Sequence, residues 1–386
     1  MIELSQTIHR LALENIHFVD SCPAFELRLP PLLNIEGSIP LVHFQGTPQE
    51  IGRQQGLLLQ PEIIDAVAFY RQRLGRFSDT TLETLCKEYY ERIALFSEPL
   101  AAEIASIAKA SGLQLWEIVM IVSRTELLRS AAPQECTALF FPDSGLLGQN
   151  WDWAQVNPFI YYVEPSEGSR FLALSEPCLP KIGLNEHGVG VCLTILSCVG
   201  KTGGVPVHAL LHAILQSRSF EEAVSIVECA PTATMSSLLI GDASGRFANF
   251  ELYPGGAIKL SERELGGSSS AVVHTNGYLS KDSRIRGREE SASSKARFQK
   301  ASELSQKIAG VCCDEMLGIL LNDQGKLPIC RQFCMEEQLG VEVGTVCTVV
   351  MDLRERELLY TQGNAYDGVP LARVSLDKSG DDYDGG

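Results

Sequence analysis

The stretch ECTALFFPDSGLLGQNWDWA, residues 135–154, contains a cysteine and an aspartate at a spacing that a β-hairpin would bring together. Its central PDSG has the proline and glycine that tight turns favour, and apolar residues flank it on both sides. Pairing around this turn places Cys136 opposite Trp151 or Asp152. The hairpin thus brings together a carboxylate and a thiol, which is a candidate nucleophile. The structural alternative is a buried strand cysteine and an aspartate at a solvated strand end.

Composition excludes several classes of partner. The 386 residues are 45% hydrophobic and carry a net charge of −16. Because no Lys/Arg cluster accompanies that charge, neither nucleic acid nor an anionic membrane surface is expected as a partner. The first twenty residues lack the pattern of a signal or transit peptide, and no apolar run approaches the roughly 20 residues of a membrane helix. We therefore expect a globular, cytoplasmic protein.

The cysteines do not form a recognisable metal site. The chain has twelve of them, and most are expected to be free thiols because disulfides are rare in a reducing compartment. Cys330 and Cys334, and the adjacent Cys312 and Cys313, lack the paired Cys or Cys/His framework of a zinc site. We expect no metal and no cofactor.

The sequence before residue 135 is mainly helical in pattern. Within residues 48–130, Ser97 is a plausible N-cap and Gly112 a plausible C-terminal stop, and the apolar residues between them share one face. A second amphipathic segment, QLWEIVMIVSRTELLRS, follows and ends before Pro133, which stops a helix.

After residue 135 the pattern changes to short strand-like runs separated by turn residues. Three hairpins are predicted, around NEHG, around DASG, and between TVCTVVMDL and ELLYTQG. Two helices lie between them, PVHALLHAILQS and a segment that begins at SFEEAV, where Ser219 and Glu222 fit a capping box. Hairpins with helices packed outside them predict a layered α+β domain. The polar segment 278–297 is expected to be a surface loop.

Eight short blocks follow one another between residues 41 and 365. They are QGTPQEIG at 45–52, EIVMIVSRTEL at 117–127, CTALFF from 136, GQNWD at 148–152, GLNEHGVGV at 183–191, GVPVH at 204–208, VHTN at 273–276 and ICR at 329–331. In this order they resemble the acyl-coenzyme A:isopenicillin N (6-aminopenicillanic acid) acyltransferase family of the N-terminal nucleophile hydrolases. Residues 1–40 lie outside the resemblance.

The resemblance implies a four-layer αββα sandwich preceded by a helical segment and made as an inactive precursor. It implies that Cys136 attacks the Glu135 carbonyl, forms a thioester by an N-to-S acyl shift, and becomes a new amino terminus on hydrolysis. The expected organisation is an N-terminal extension over 1–40, a mainly helical α-chain region over 41–135, and a β chain with the catalytic sandwich over 136–386. The cleaved chains would stay together as a heterodimer.

A cysteine at a chain start carries both a nucleophile and a base, because an α-amino group titrates at about 8 and can accept the thiol proton. By resemblance, Asn276 in VHTN is the oxyanion donor and Asp152 orients the α-ammonium group. Arg331 in ICR matches the family's arginine beside the nucleophile, where it would pair with Asp152 or hold a carboxylate. The structural alternatives are a turn asparagine and an exposed arginine.

Two residues depart from the family pattern near the nucleophile. Glu135 stands where the penicillin enzyme has glycine before its cysteine, and Ala138 stands where that enzyme has a second threonine. Both changes bear on self-cleavage, since they alter the bulk, charge and hydroxyl groups around the bond to be broken.

The predicted activity is hydrolysis or transfer of an acyl group on the amide of a small N-acylated amine or peptide, through a Cys136 thioester. Hydrolysis is favoured because no adenine-binding or phosphate-cradling motif is evident. One alternative is an N-acyltransferase of secondary metabolism with acyl-coenzyme A as co-substrate, and another is an uncleaved, catalytically silent binding relative. His208 and His212 have the i, i+4 spacing of metal ligands, but without a third ligand they are expected to be an ordinary helix-surface pair.

Overall fold

Two β-sheets face each other and carry helices on their outer surfaces. The computed structural model describes residues 32–33, 39–128, 136–196, 203–233, 235–261, 264–265, 271–284, 290–308, 310–337, 340–363 and 371–377. Within these ranges one sheet has nine strands and the other has seven.

The strands are β1 (Leu32–Leu33), β2 (Leu41–Gly46), β3 (Thr137–Phe141), β4 (Leu146–Ala154), β5 (Phe159–Pro165), β6 (Phe171–Glu176), β7 (Leu179–Asn185), β8 (Val189–Ile195), β9 (Ser236–Asp242), β10 (Phe247–Tyr253), β11 (Gly256–Lys259), β12 (Val272–His274), β13 (Cys334–Glu336), β14 (Val341–Asp352), β15 (Glu357–Gln362) and β16 (Ala372–Ser375). The first sheet has the order β1-β2-β5-β6-β7-β8-β9-β10-β11, and the second has the order β12-β3-β4-β14-β15-β16 with β13 paired to β14. Strands β2 and β5 run parallel, and the other described pairs run antiparallel.

The helices are α1 (Pro48–Leu58), α2 (Gln60–Arg73), α3 (Asp79–Phe96), α4 (Glu98–Ser111), α5 (Leu115–Val122), α6 (Arg124–Leu128), α7 (Val207–Leu215), α8 (Phe220–Cys229), α9 (Ala292–Ser305) and α10 (Cys313–Leu320). Helices α7 and α8 pack on the first sheet, whereas α9 and α10 pack on the second. The four layers are therefore helix, sheet, sheet and helix, and the predicted αββα fold with a preceding helical segment is confirmed.

Side-chain alternation explains how the two sheets meet. Successive residues of a strand point to opposite faces, so Cys136, Ala138 and Phe140 share one face of β3. That face is turned toward the first sheet, because the Phe140 ring lies against Gly241 of β9. The absence of a side chain at Gly241 allows this close approach.

The predicted hairpins are present with the expected pairings. Thr137 pairs with Asn150 across the PDSG turn, and Gly183 pairs with Val191 across NEHG. The β9–β10 and β14–β15 hairpins are also formed. Local turn chemistry determines these registers, since each hairpin joins strands that are adjacent in sequence.

The helical segment follows its predicted caps in part. The Ser97 hydroxyl accepts from the Leu100 N–H, and Gly112 ends α4 with a φ of 74°. The expected amphipathic helix after Gln114 is instead two helices, α5 and α6, separated by Ser123. Helix α5 is surrounded by α2, α3 and α4, so the segment is buried from residue 118 to residue 128 and has no solvated face there.

Strand β2 shows that the region over 41–135 is joined to the sandwich. It pairs with β5 through Leu41 and Ile160, and thereby extends the first sheet. Its side chains Val42 and Phe44 are fully buried. The change of pattern at residue 135 therefore separates helix-rich from sheet-rich sequence within one shared core.

The expected surface loop over 278–297 is wrong in its second half. Helix α9 begins at Ala292, with the Ser291 hydroxyl accepting from the Ser294 N–H, and Arg297 is fully buried. Residues 285–289 of this segment lie outside the described residues. The buried face of this helix is itself polar. A search for apolar periodicity therefore does not detect the helix.

Two smaller expectations also change. The predicted surface pair on α7 is buried: His208 bonds Thr125, and His212 lies 3.4 Å from a carboxylate oxygen of Glu103. The Ser219 hydroxyl caps α8 as predicted, accepting from the Glu222 N–H, but the Glu222 carboxylate accepts from the Arg218 N–H rather than from Ser219.

Across the described ranges, every helix is too short or too polar to cross a bilayer. The cytoplasmic location stays a prediction.

The close approach of the sheets at Gly241 can be tested by adding one methyl group. A Cβ at this position would lie 2.6 Å from the Phe140 ring, so Gly241→Ala should lower the free energy of unfolding by about 1–3 kcal/mol through overpacking. The matched control is Gly318→Ala in α10, where a Cβ meets no atom within 4 Å and helix propensity should raise stability by about 0.5–1 kcal/mol. Urea denaturation gives both values, and equal effects would contradict the packing.

Candidate active site

Cys136 lies immediately before β3, at the edge of the interface between the sheets. Its Sγ is 4.0 Å from the main-chain oxygen of Asp152, and the residue is only 5% exposed. Burial, followed by the nearby charge of Asp152, raises the pKa of the Cys136 thiol to about 11. The uncleaved chain therefore holds this thiol protonated at neutral pH. The expected cleavage partner, Glu135, lies outside the described residues.

The Asp152 carboxylate lies on the opposite face of the sheet from the thiol. Asn150 lies on the same face of β4 as Asp152, because side chains two residues apart on a strand point the same way. Its amide donates to the carbonyl of Leu320 in α10, which packs on the outer surface of this sheet. The Thr345 hydroxyl donates to Asp152 Oδ1 over 2.7 Å. A register shift in β14 between Thr345 and Cys347 puts Thr345 directly across from Asp152. The hairpin thus brings the thiol and the aspartate together through the main chain.

Arg331 joins this part of the site through its backbone. The Arg331 N–H donates to the Thr345 hydroxyl over 2.8 Å, so one hydroxyl links Arg331 to Asp152. The guanidinium is half-buried and lies 3.6 Å from the Cys334 sulfur. Its role in pairing with Asp152 or holding a carboxylate stays a prediction.

Asn276 follows β12 and is oriented through both ends of its side-chain amide. Its Nδ2 donates to the Ile195 carbonyl over 2.8 Å, and its Oδ1 accepts from Arg297 over 2.9 Å. The backbone N–H donates to the Ser294 hydroxyl over 3.0 Å. Because an amide nitrogen carries two N–H groups, one remains after the bond to Ile195. This geometry suits an oxyanion donor, and that role stays a prediction.

A buried hydrogen-bonded pair fixes the chain on both sides of Asn276. His274, two residues before it, lies 3.2 Å from the Glu251 carboxylate. The same carboxylate accepts from the N–H groups of Leu279 and Ser280, over 2.6 and 3.1 Å. Both His274 and Glu251 are fully buried. The loop that carries Asn276 is therefore anchored to β10 before and after the amide.

Arg297 connects Cys136 to the predicted oxyanion donor. Its Nη1 donates to the Cys136 carbonyl over 2.6 Å and to the Thr137 hydroxyl over 2.9 Å, while its Nη2 donates to Asn276 Oδ1. Sequence reasoning missed this residue. The available signal was one face of α9, on which Ser294, Arg297 and Ala301 are small or polar but buried.

A second group of charges lines the other side of the thiol. Cys136 and Lys181 share a cavity of about 30 Å³, close to the volume of one water molecule. Lys181 Nζ lies 3.7 Å from the centre of the Trp151 ring and 3.3 Å from Glu176 Oε1. Arg124 Nη2 lies 3.4 Å from the same carboxylate oxygen. Sequence reasoning missed this cluster as well.

The pKa values of this cluster follow from burial and from its two cations. Burial lowers the pKa of Lys181 to about 8, although the Glu176 charge acts in the opposite direction. Burial alone would raise the pKa of Glu176, but the charges of Arg124 and Lys181 hold it below the ordinary value. The Tyr70 hydroxyl also donates to Glu176. The cluster thus places an easily deprotonated amine beside the thiol.

The four predicted site residues therefore occupy one region. Cys136 contacts Asp152 directly, Asn276 reaches Cys136 through Arg297, and Arg331 reaches Asp152 through the Thr345 hydroxyl.

A family model described as acyl-coenzyme A:6-aminopenicillanic acid acyl-transferase matches residues 141–367. The match spans more than half of the chain and contains Asp152, Asn276 and Arg331. The chain belongs to this family. The resemblance inferred from the eight sequence blocks is confirmed.

A curated member of the acyl-transferase family supports the assignment. The acyl-coenzyme A:6-aminopenicillanic-acid-acyltransferase 40 kDa form of Emericella nidulans is 30% identical over 256 residues, which is 61% of this chain and 68% of that protein. Among solved structures, a mutant of conjugated bile acid hydrolase from Clostridium perfringens has a TM-score of 0.46 at 16% identity, over 65% of this chain and 94% of that chain. Penicillin V acylase from Agrobacterium tumefaciens has a TM-score of 0.43 at 15% identity, over 63% and 86%.

The hydroxyl that links Asp152 and Arg331 can be removed with little change of shape. Thr345→Val, made in a Cys136→Ala background in which the expected self-cleavage is blocked, leaves a buried carboxylate oxygen and a backbone N–H without this partner. We expect the free energy of unfolding to fall by about 2–4 kcal/mol in urea at pH 7. The control is Thr84→Val on the exposed face of α3, expected within about 0.5 kcal/mol of the parent. Equal values for the two variants would contradict the network.

Proposed function

We propose that this chain is a cysteine N-terminal nucleophile enzyme that cleaves itself between Glu135 and Cys136. The mature enzyme then hydrolyses or transfers an acyl group on the amide of a small N-acylated amine or peptide, through a thioester on Cys136. The observation that carries the proposal is the link from the Cys136 carbonyl through Arg297 to the Asn276 amide. It holds the start of β3 at a fixed position relative to a side-chain N–H donor.

The chemistry of turnover follows from the residue types at that position. After cleavage the α-amino group of Cys136 takes the thiol proton, and the sulfur attacks the substrate carbonyl carbon. The second N–H of the Asn276 amide stabilises the oxygen that becomes negative, a contribution of about 3–4 kcal/mol when such a donor is preorganised. The α-ammonium then returns its proton to the leaving amine. Water or a second amine resolves the thioester and regenerates the thiol.

The uncleaved chain has the features of an inactive precursor. Its thiol has a pKa raised to about 11 by burial and by Asp152. Its cavity beside Cys136 is about 30 Å³, whereas sites for small molecules usually measure about 300–1,000 Å³. Cleavage would supply an amine as base and free the chain on one side of the nucleophile, so that activity would depend on processing.

Contacts across the cleavage point explain why the products, residues 1–135 and 136–386, would remain a heterodimer. Strand β2 is hydrogen-bonded in parallel to β5. The Glu126 carboxylate accepts from the Val207 N–H at the start of α7 over 2.9 Å. The buried pair of Glu103 and His212 also joins the two products.

An acyl-coenzyme A-dependent N-acyltransferase is the second candidate function. The curated relative at 30% identity carries that activity in its name, which favours acyl-coenzyme A as a co-substrate here. Hydrolysis and transfer share the Cys136 thioester and differ only in the acceptor, water or an amine. The third candidate, a catalytically silent binding relative, requires that Cys136 remain unreactive.

Intact mass under denaturing conditions tests self-cleavage directly. The purified wild-type protein should give two species that correspond to residues 1–135 and 136–386, and Cys136→Ala should give one species because no sulfur can attack the preceding carbonyl. Cys229→Ala is the matched control, since this thiol is exposed, and it should cleave as the wild type does. A wild-type chain that stays intact while it hydrolyses amides would contradict the mechanism.

The acceptor can be identified with the cleaved enzyme and a panel of N-acyl amines. Hydrolysis should release free acid without acyl-coenzyme A, and transfer should form a new amide only when an acyl-coenzyme A donor and an amine are both present. Asn276→Leu should reduce kcat/KM by about 100-fold or more, because the oxyanion donor is lost. Mass spectrometry of the products separates the two activities. No turnover, together with an intact chain whose Cys136 resists iodoacetamide, would support the uncleaved silent relative instead.

A further inference from the structure

The proposed self-cleavage needs a base that the mature enzyme does not. Before cleavage the nitrogen of Cys136 is part of a peptide bond, and an amide nitrogen does not accept a proton at neutral pH. The thiol is nevertheless buried, with a raised pKa. Another group beside Cys136 must therefore take its proton in the precursor.

Lys181 occupies the place that such a base requires. It projects from β7 on the first sheet, and its side chain lines the same cavity as Cys136. The cavity volume of about 30 Å³ is close to that of one water molecule, so the two side chains share a small space. In β4, Asn150 pairs with Thr137, and Trp151 is the next residue, on the side of Cys136. The Trp151 ring covers the Lys181 ammonium.

Burial favours loss of a proton from Lys181, the Glu176 charge opposes it, and the Arg124 charge assists it. Arg124 and Lys181 both lie within 3.4 Å of Glu176, so two buried cations share one carboxylate. An arginine stays protonated in proteins, whereas a buried lysine can become neutral. When Lys181 is neutral, Arg124 still balances the Glu176 charge. The cluster therefore tolerates a neutral amine without leaving a buried charge uncompensated.

The other groups around Lys181 are consistent with this protonation state. The Tyr70 hydroxyl donates a hydrogen bond to Glu176. Burial, with the charges of Arg124 and Lys181, keeps the pKa of His208 well below its ordinary value. Asp152 lines the same cavity, while its carboxylate accepts from the Thr345 hydroxyl on the other face of the sheet.

We propose that Lys181 is the base that accepts the Cys136 thiol proton during self-cleavage. This inference rests on the proposed function. Lys181 is the base in the precursor, and the α-amino group of Cys136 is the base in the mature enzyme.

The Lys181 amine takes the proton from Cys136 Sγ, and the sulfur forms a bond to the Glu135 carbonyl carbon. The bond from that carbon to the Cys136 nitrogen breaks, and the Lys181 ammonium returns the proton to the departing nitrogen. A thioester and a free α-amino group result. Water then cleaves the thioester, which leaves a carboxylate on Glu135 and restores the thiol on Cys136.

The pH dependence of self-cleavage follows from the sign of the Lys181 shift. Burial lowers the pKa of Lys181 to about 8, so the neutral amine is about a tenth of the population at pH 7 and grows as the pH rises. The rate of cleavage should therefore rise about tenfold per pH unit below pH 7 and level off above about pH 8.

Pulse-labelled precursor from cell-free synthesis allows the rate to be followed by denaturing gel from pH 6 to pH 9. Lys181→Arg keeps the positive charge but accepts no proton, and should slow cleavage by about 100-fold or more. Lys181→Ala should be equally slow, and added ethylamine should restore cleavage in proportion to its neutral form. The matched control is Lys259→Ala, an exposed lysine on β11, which should cleave at the wild-type rate.

The outcomes separate this inference from the proposed function. Cleavage of Lys181→Arg within about threefold of the wild type, with the same pH profile, overturns the role of Lys181 and leaves the proposed function in place. Failure of ethylamine to restore cleavage in a Lys181→Ala chain that melts as the wild type does also overturns it, because Lys181 would then act through packing. A wild-type precursor that never cleaves overturns both.

Discussion

Because side chains alternate along β3 and β4, the groups around Cys136 fall on two faces of one sheet. The thiol points toward the first sheet, into the small cavity with Lys181. The carboxylate of Asp152 points the other way and receives the Thr345 hydroxyl. Arg297 reaches the sheet from α9 on that second face and holds the Cys136 carbonyl. Cys136 therefore has an amine on one side and a fixed hydrogen-bond network on the other.

The network on the second face restricts the position of Cys136 more than packing alone would. Arg297 is fully buried, and its bonds to the Cys136 carbonyl and to Asn276 Oδ1 determine where both residues lie. Buried polar networks of this kind hold one arrangement because each group that loses its partner costs free energy. The hydrogen bond between His274 and Glu251 extends the same constraint to the loop that carries Asn276. A donor fixed in this way does not have to reorganise during the reaction.

The parts of the site that the sequence predicted are local or belong to family motifs. The pairing of Cys136 with the Trp151–Asp152 end of β4 depends on one tight turn, and Asn276 and Arg331 were found by their motifs. Arg297 and Lys181 were not found, because each reaches the nucleophile only through long-range packing. The position of Thr345 opposite Asp152 depends on a register shift in β14, and no local sequence pattern predicts that shift. Similarly, the layers followed from the hairpins, whereas helix α9 was hidden by its polar buried face.

The alternation of side chains along β3 also explains why Ala138 can replace the second threonine of the family pattern. Ala138 is buried and pairs with His274 across β3 and β12, on the face that Cys136 shares. A threonine there would place its hydroxyl between the sheets, away from Arg297. The hydroxyl that Arg297 uses belongs to Thr137, which this chain retains. Loss of the second hydroxyl therefore leaves the Arg297 network complete.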